Sequence, residues 1–452
     1  MDADLVIRGR CVVLPNEVAP AAIHIRDGLI TNVGPFDDPS GDSDVLDVVS
    51  SAVVMPGLVD THVHVNEPGR TEWEGFYTAT RAAAAGGTTT LIDMPLNSIP
   101  ATTTVAALET KMEAADHKCH IDVGFWGGVV PGNTRELELM LNRGVVGFKC
   151  FLVPSGVEEF QHVTEADLRQ AMPELTRLGA LLIVHAELPH DSDEAAQNDP
   201  RSYNTFLSSR PCADEDKAIE LMIRLSREFG TRVHIVHLSS AEALPMLRDA
   251  RASGVKISAE TCPHYLHFAS ENIETAHTEF KCCPPIRERE NRERLWRGLA
   301  NGTIETIVSD HSPCPAEMKL REQGDFMQAW GGISSLQLRL PIVWTEAKSR
   351  GLSLLDLHKW LCYEPARLVN LHHQKGSIAE GKAADLIVWD PESEFTVSPA
   401  ILQHRHKLTP YQGEKLRGIV LKTFLRGQKI YDSGEFYFDA PGKLLLQPRR
   451  AA

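Results

Sequence analysis

The 452-residue sequence predicts an α/β protein: a TIM-like (β/α)8 barrel carrying a small composite β-sandwich from its N- and C-terminal segments. Three observations lead there. Short alternating apolar and polar runs occupy both ends of the chain, as in DLVIRGRCVVL and GIVLKTFLRGQKIYDSG. Between them, compact apolar runs are each followed by a longer stretch with helical spacing. Histidines and an aspartate collect at the C-terminal ends of those runs.

In chain order, the first fifty residues read as small antiparallel strands separated by Gly, Pro and Asp clusters, with a matching texture in GSIAEGKAADLIVWD near the other end. This divides the chain into residues 1–54, the first part of the small β domain, 55–374, the catalytic barrel, and 375–452, the second part of the β domain with a tail. The barrel strands are predicted in GLVDTHVH, TTTLIDMP, DVGFWGGV, GVVGFKCF, LLIVHAE, RVHIVHLS, KISAETCP and ETIVSDHS. Helices are predicted in TTVAALETKMEAADH, TEADLRQAMPELTRLG, DEDKAIELMIRLSREFG and AEALPMLRDARASG, several closing on Gly as a C-cap.

Composition excludes several classes of partner. With 46 basic against 61 acidic residues the net charge is -15, which disfavours nucleic acid and anionic membranes. No apolar run approaches the length of a membrane span. The nine cysteines are scattered, without a Cys-x-x-Cys pair, and read as reduced thiols. MDADLVIRGR shows no leader pattern and PRRAA is no peroxisomal signal, so a cytoplasmic location is expected.

His62 and His64 are two apart on the first barrel strand and so share a face, where one metal ion could take both imidazoles. Lys149, His185, His237 and Asp310 end later strands and converge on the same barrel mouth. Each such group in a core strand costs desolvation unless something binds it. Lys149 is the odd member, because an ammonium would be repelled by cations. A lysine amine whose pKa is lowered by nearby metals adds carbon dioxide to form an anionic carbamate (N6-carboxylysine), whose two oxygens can bridge two ions. Oxygen and nitrogen donors without thiolate suit two divalent ions, zinc first, with cobalt or manganese also possible.

This pattern, together with EPGRTEWEGF, GGTTTLIDMPLNSIPATTT, ETCPHYL, KCCPPIR, VSDHSPCPAEMK, AWGGISSLQ and RHKLTPYQG, resembles the cyclic amidohydrolases of the amidohydrolase superfamily, over almost the whole chain. The stretches look most like the allantoinase branch. The resemblance implies a metal-dependent hydrolase with His62, His64 and Asp310 on one metal, His185 and His237 on the second, and carboxylated Lys149 across both. It implies hydrolysis of allantoin to allantoate by a metal-bridging hydroxide, with Asp310 as general base and then acid, and a homotetramer acting on a small neutral cyclic ureide.

Asn66 stands where dihydroorotases usually carry an Arg for the substrate carboxylate, which fits a neutral substrate. The Tyr that hydantoinases place after the carboxylated Lys is missing from KCFLVPSG. Cys283 replaces the usual Ser of the CSPPIR pattern. Asn66, Asn97, Cys283 and the backbone of Gly331 and Gly332 are the candidate substrate contacts. His311 alternates to the other face and is expected to support the site, while His264 in CPHYL is ambiguous. A hydantoinase-, dihydropyrimidinase- or dihydroorotase-like hydrolase is the alternative. A non-catalytic dihydropyrimidinase-like scaffold is a third reading, although such relatives lose metal ligands and this chain keeps six.

Overall fold

The computed structural model describes residues 3–190, 199–437 and 440–446, so the C-terminal PRRAA lies outside the described residues. The small domain begins with β1 (Leu5–Val13), β2 (Val18–Arg26), β3 (Leu29–Gly34), β4 (Asp44–Asp47) and β5 (Val53–Pro56). β1–β2–β3 form an antiparallel meander. Two pairings depart from the expected antiparallel arrangement: β4 pairs with Leu5–Arg8 of β1, and β5 with its Val12, both parallel. The chain crosses over after β3 and returns along the free edge of β1 in the direction of β1, which makes these contacts parallel.

The barrel strands follow as β6 (Leu58–Val63), β7 (Thr88–Asp93), β8 (Asp122–Phe125), β9 (Gly127–Gly128), β10 (Phe148–Phe151), β11 (Leu181–His185), β12 (Arg232–Ile235), β13 (Ile257–Thr261) and β14 (Thr306–Ile307). The third predicted strand is split at Trp126, whose backbone N–H donates to Asp93 O (3.0 Å) and whose indole donates to Thr61 O (2.9 Å). Neighbours pair in parallel. The eighth strand has only two ladder residues. Beyond it, Ser309 N–H donates to the Asp60 carboxylate, and His64 N–H donates to His311 O (2.9 Å), joining last strand to first. β6, β7 and β11 are buried at every residue, which explains why none of them shows the apolar–polar alternation of a half-exposed strand.

Local sequence sets the helix ends. Thr164 caps Glu165–Leu178 through a reciprocal box with Asp167, and Gly179 ends it at φ 59, a left-handed value that costs glycine little. Replacing such a capping threonine with alanine costs about 1 kcal/mol. The helix Cys212–Phe229 ends in the same way at Gly230, φ 71.

The chain then returns to the small domain as β15 (Leu386–Thr396), β16 (Lys415–Leu425), β17 (Gln428–Asp432) and β18 (Glu435–Phe436). β15 pairs with β5, Leu386 opposite Pro56 and Trp389 opposite Val53, so one sheet runs through both chain ends. Ile7, Ile23 and Ile25 from one end pack with Leu386, Val388 and Phe424 from the other. No helix among the described residues is long and apolar enough to cross a membrane.

Candidate metal centre

Four residues just beyond barrel strands adopt left-handed backbone: Asn66 (φ 65), Asn97 (φ 69), His237 (φ 40) and Asp310 (φ 44). Non-glycine residues take this region at a cost, and such strain concentrates where side chains must be aimed at a site. Here the turns bring the predicted groups together at the barrel mouth.

Ligand atoms of His62, His64 and Asp310 all lie within 4.8 Å of one another. His62 Nε2 is 3.2 Å and His64 Nε2 3.5 Å from Asp310 Oδ1. A second pair stands opposite, with His185 Nδ1 3.0 Å from His237 Nε2. The His62 and His237 ring centres are 5.3 Å apart, so the two groups adjoin. Lys149 is fully buried between strands, and its Nζ has no hydrogen-bond partner, nor does His237 Nδ1. Buried donors are seldom left orphaned. A cluster of imidazoles and a carboxylate around an unpaired amine therefore fits a ligand set for divalent cations.

Electrostatics agree. Burial pushes Lys149 down to about 8 despite the opposing pull of Asp310 and Glu260. Burial thus already favours the neutral amine that carbamate formation needs. Burial likewise lowers His64 to about 4 and His237 well below the usual imidazole range, keeping both neutral and able to ligate. Burial acts to raise Asp310, but the His62 and His64 imidazoles outweigh it and hold the carboxyl below the usual range, hence ionised.

Two acids absent from the sequence-based list orient these rings. Glu260 Oε1 lies 2.6 Å from His62 Nδ1, while its Oε2 lies 3.1 Å from His234 Nε2. Glu187 Oε2 lies 2.7 Å from His185 Nε2, and Arg210 donates to both Glu187 oxygens (3.0 and 2.7 Å). A signal was present: ISAET places an acid inside a core strand and IVHAE places one just past a strand end, and a buried acid must find partners as the histidines must.

The cluster opens into a cavity of about 450 Å³. Asn97, Cys283, Gly331 and Gly332 line it, as do Ser312 and Trp330, which the sequence did not single out. Asn97 Nδ2 is 3.4 Å from His64 Nδ1. A Cβ at Gly332 would come within 2.3 Å of Ser312 O, so that wall requires glycine. Lys319 pins the same loop by donating to Lys281 O (3.1 Å), Trp330 O (3.0 Å) and Gly332 O. Asn66 is placed differently. It is fully buried, does not line the cavity, and its amide lies 3.4 Å from Pro313 O. Its left-handed backbone turns the side chain into the loop that follows Asp310, which is why it is separated from the cavity. His311 points away from the cluster, its Nδ1 accepting from Ser335 N–H (3.2 Å).

The model of the amidohydrolase family matches residues 53–430. The chain is 51% identical to an allantoinase of Streptomyces avermitilis over 98% of its own length and 99% of the relative's. It is 47% identical to an allantoinase of Saccharomyces cerevisiae, covering 90% and 88% of the two chains. Among solved structures, an L-hydantoinase from Arthrobacter aurescens superposes with a TM-score of 0.93 at 29% identity, covering 98% of this chain and 100% of that one. With the family match extending from β5 through β17 and enclosing every residue of the cluster, this chain belongs to the amidohydrolase family.

Proposed function

We infer that the chain hydrolyses the ring amide of allantoin to give allantoate. The observation that carries the substrate is the near full-length similarity to the Streptomyces allantoinase, 51% against 29% for the hydantoinase structure. His62, His64 and Asp310 would hold one divalent ion, His185 and His237 the second, and Lys149, carboxylated by carbon dioxide, both. Such ions supply Lewis-acid polarisation of a carbonyl and an activated water near neutral pH, with zinc the ion proposed. The donor set and the orphaned Lys149 amine support this reading.

The protein's own groups do the rest. Asp310, ionised and held between two imidazoles, takes a proton at its carboxylate and delivers it to the departing ring nitrogen. Glu260 and Glu187 fix which nitrogen of His62 and His185 faces the site. Asn97, Cys283 and the Gly331–Gly332 backbone form the wall that receives a neutral cyclic ureide. Asn66 we reassign to the fold of the Pro313 loop.

We further propose a homotetramer, on family resemblance, and a cytoplasmic location, supported by nine cysteines that are all free. The division at 54/55 and 374/375 is proposed on the split small sheet, its first junction falling inside β5, Val53–Pro56. Side-by-side kcat/KM values for allantoin, hydantoin and dihydroorotate with metal-loaded enzyme test the activity. Allantoin should be preferred by a wide margin. Equal efficiency on dihydroorotate or hydantoin would overturn the assignment.

A further inference from the structure

The seventh and eighth barrel strands, β13 and β14, are hydrogen-bonded neighbours, and the residues just past their ends meet. Cys262 and His264 follow β13 and Asp310 follows β14. Ligand atoms of these three lie within 4.8 Å of one another, a second cluster that shares only Asp310 with the first. Cys262 and His264 are both 0% exposed and neither lines the cavity. Neither ring nitrogen of His264 has a hydrogen-bond partner. A buried imidazole with both nitrogens unsatisfied carries unused ligating capacity, and here it lies between a thiol and a carboxylate.

We propose that Cys262, His264 and Asp310 form an additional, inhibitory cation site that takes a thiophilic divalent ion such as Zn²⁺ or Cd²⁺ when it is in excess. Sulfur, nitrogen and oxygen donors sharing a tetrahedral zinc sit about 3.3 to 3.8 Å apart, given bonds of about 2.0 to 2.3 Å, so the three need close by at most about 1 to 1.5 Å. Binding turns the Cys262 thiol into a thiolate and releases its proton to solvent. Thiolate, carboxylate, neutral imidazole and divalent cation then sum to no net charge, which makes their burial tolerable. The route in is through Asp310, the one member that lines the cavity. Once its carboxylate is captured on that side, Asp310 no longer carries protons for hydrolysis. The site thus limits activity under metal excess, unlike the catalytic pair, which requires metal.

The test uses metal-loaded enzyme titrated with further Zn²⁺ or Cd²⁺, with Cys262→Ser and His264→Gln as variants. Unmodified enzyme should lose turnover as the added ion rises, and each variant should need about 10-fold or more added ion for the same loss. Cadmium should also produce a thiolate-to-metal absorption band in the near ultraviolet that Cys262→Ser abolishes and Cys283→Ser retains. The band needs no turnover, so it reports on the site whether or not allantoin is the substrate. Identical inhibition curves for the unmodified and variant enzymes, or a cadmium band that survives Cys262→Ser, would overturn the proposal.

Discussion

Glu260 grips His62 from behind: its Oε1 lies 2.6 Å from Nδ1, so that Nε2, 3.2 Å from Asp310, faces the cluster. The same carboxylate holds His234, and burial's tendency to raise it is outweighed by these two rings, leaving it at about 2. Replacing Glu260 with Gln keeps the shape but removes the charge that selects the His62 tautomer. Metal affinity should fall by about 10- to 100-fold, the usual cost of losing such a partner, with the far-ultraviolet circular dichroism unchanged. Metal analysis after dialysis checks this, and full occupancy in the variant would show that Glu260 serves packing alone.

Asp310→Asn separates proton transfer from shape. Asparagine tolerates the φ of 44 that Asp310 adopts, so the backbone should hold. The rate constant should drop by about 10² to 10⁴, as for loss of a general base, while KM changes little. Steady-state kinetics on allantoin decide it. A rise in KM with kcat preserved would make Asp310 a binding group.

Metal-free protein should be acid-sensitive in a defined window. His64 titrates near 4 when folded against 6.5 ordinarily, and His185 and His237 are also lowered, all chiefly by burial. Between those values the unfolded chain binds more protons, so stability falls as pH drops from about 6.5 toward 4. Glu260 and Asp310, lowered by their histidine partners against burial, add a further loss at still lower pH. Lys149, lowered by burial from 10.5 to about 8, makes stability rise with pH across that upper interval. Melting temperatures across pH should show both slopes, and His64→Gln should flatten the acid one.

Asn66 now predicts stability more than specificity. An Arg there would bury a guanidinium in the fully buried space beside Pro313 O, and should destabilise by several kcal/mol. Asn66→Gly, which suits a φ of 65, should cost little more than the single amide contact, about 1 kcal/mol. Denaturant titration measures both. An Asn66→Gly enzyme of normal stability with a much raised KM for allantoin would return this residue to the substrate.

Lys319 sets the glycine wall through three carbonyls, on Lys281, Trp330 and Gly332. Lys319→Met fills similar volume without the donors; Lys281 O keeps its bond from Gly332 N–H (2.9 Å), while Trp330 O and Gly332 O lose the Lys319 donor at about 1 to 3 kcal/mol each. KM should rise more than kcat falls, because the loop meets substrate and not the ligands. Kinetics together with thermal melts check the split, and a loss of kcat alone would tie Lys319 to the chemistry instead.

The barrel was legible because strands buried on both faces are written in apolar residues, and each ends in a polar group that such a strand would otherwise exclude. Strand lengths were less so. ETIVSDHS reads as a full strand, yet only Thr306–Ile307 form a ladder, since Asp310 must leave strand geometry to reach His62 and His64. His62, His64, Lys149, His185, His237 and Asp310 could be gathered from strand-end position alone. The supports could not: Arg210 and Lys319 come from distant segments, and only the folded chain shows which carbonyl or carboxylate each one meets. Asn66 failed for a related reason, because a backbone turn, not residue type, decides which way it faces.

The pairing of β5 with β15 has a consequence for biosynthesis. β5 leaves the ribosome early and β15 near the end, so the N-terminal meander waits with one edge of β5 unpaired while the whole barrel is made. Closing that sheet is a contact of very long sequence separation and comes last. A chain cut after the barrel therefore keeps its catalytic groups yet presents an open edge beside Ile7, Val12 and Val54, a template for self-association. β15 acts as a quality seal: the edge that β5 exposes is covered only after the whole barrel has been made.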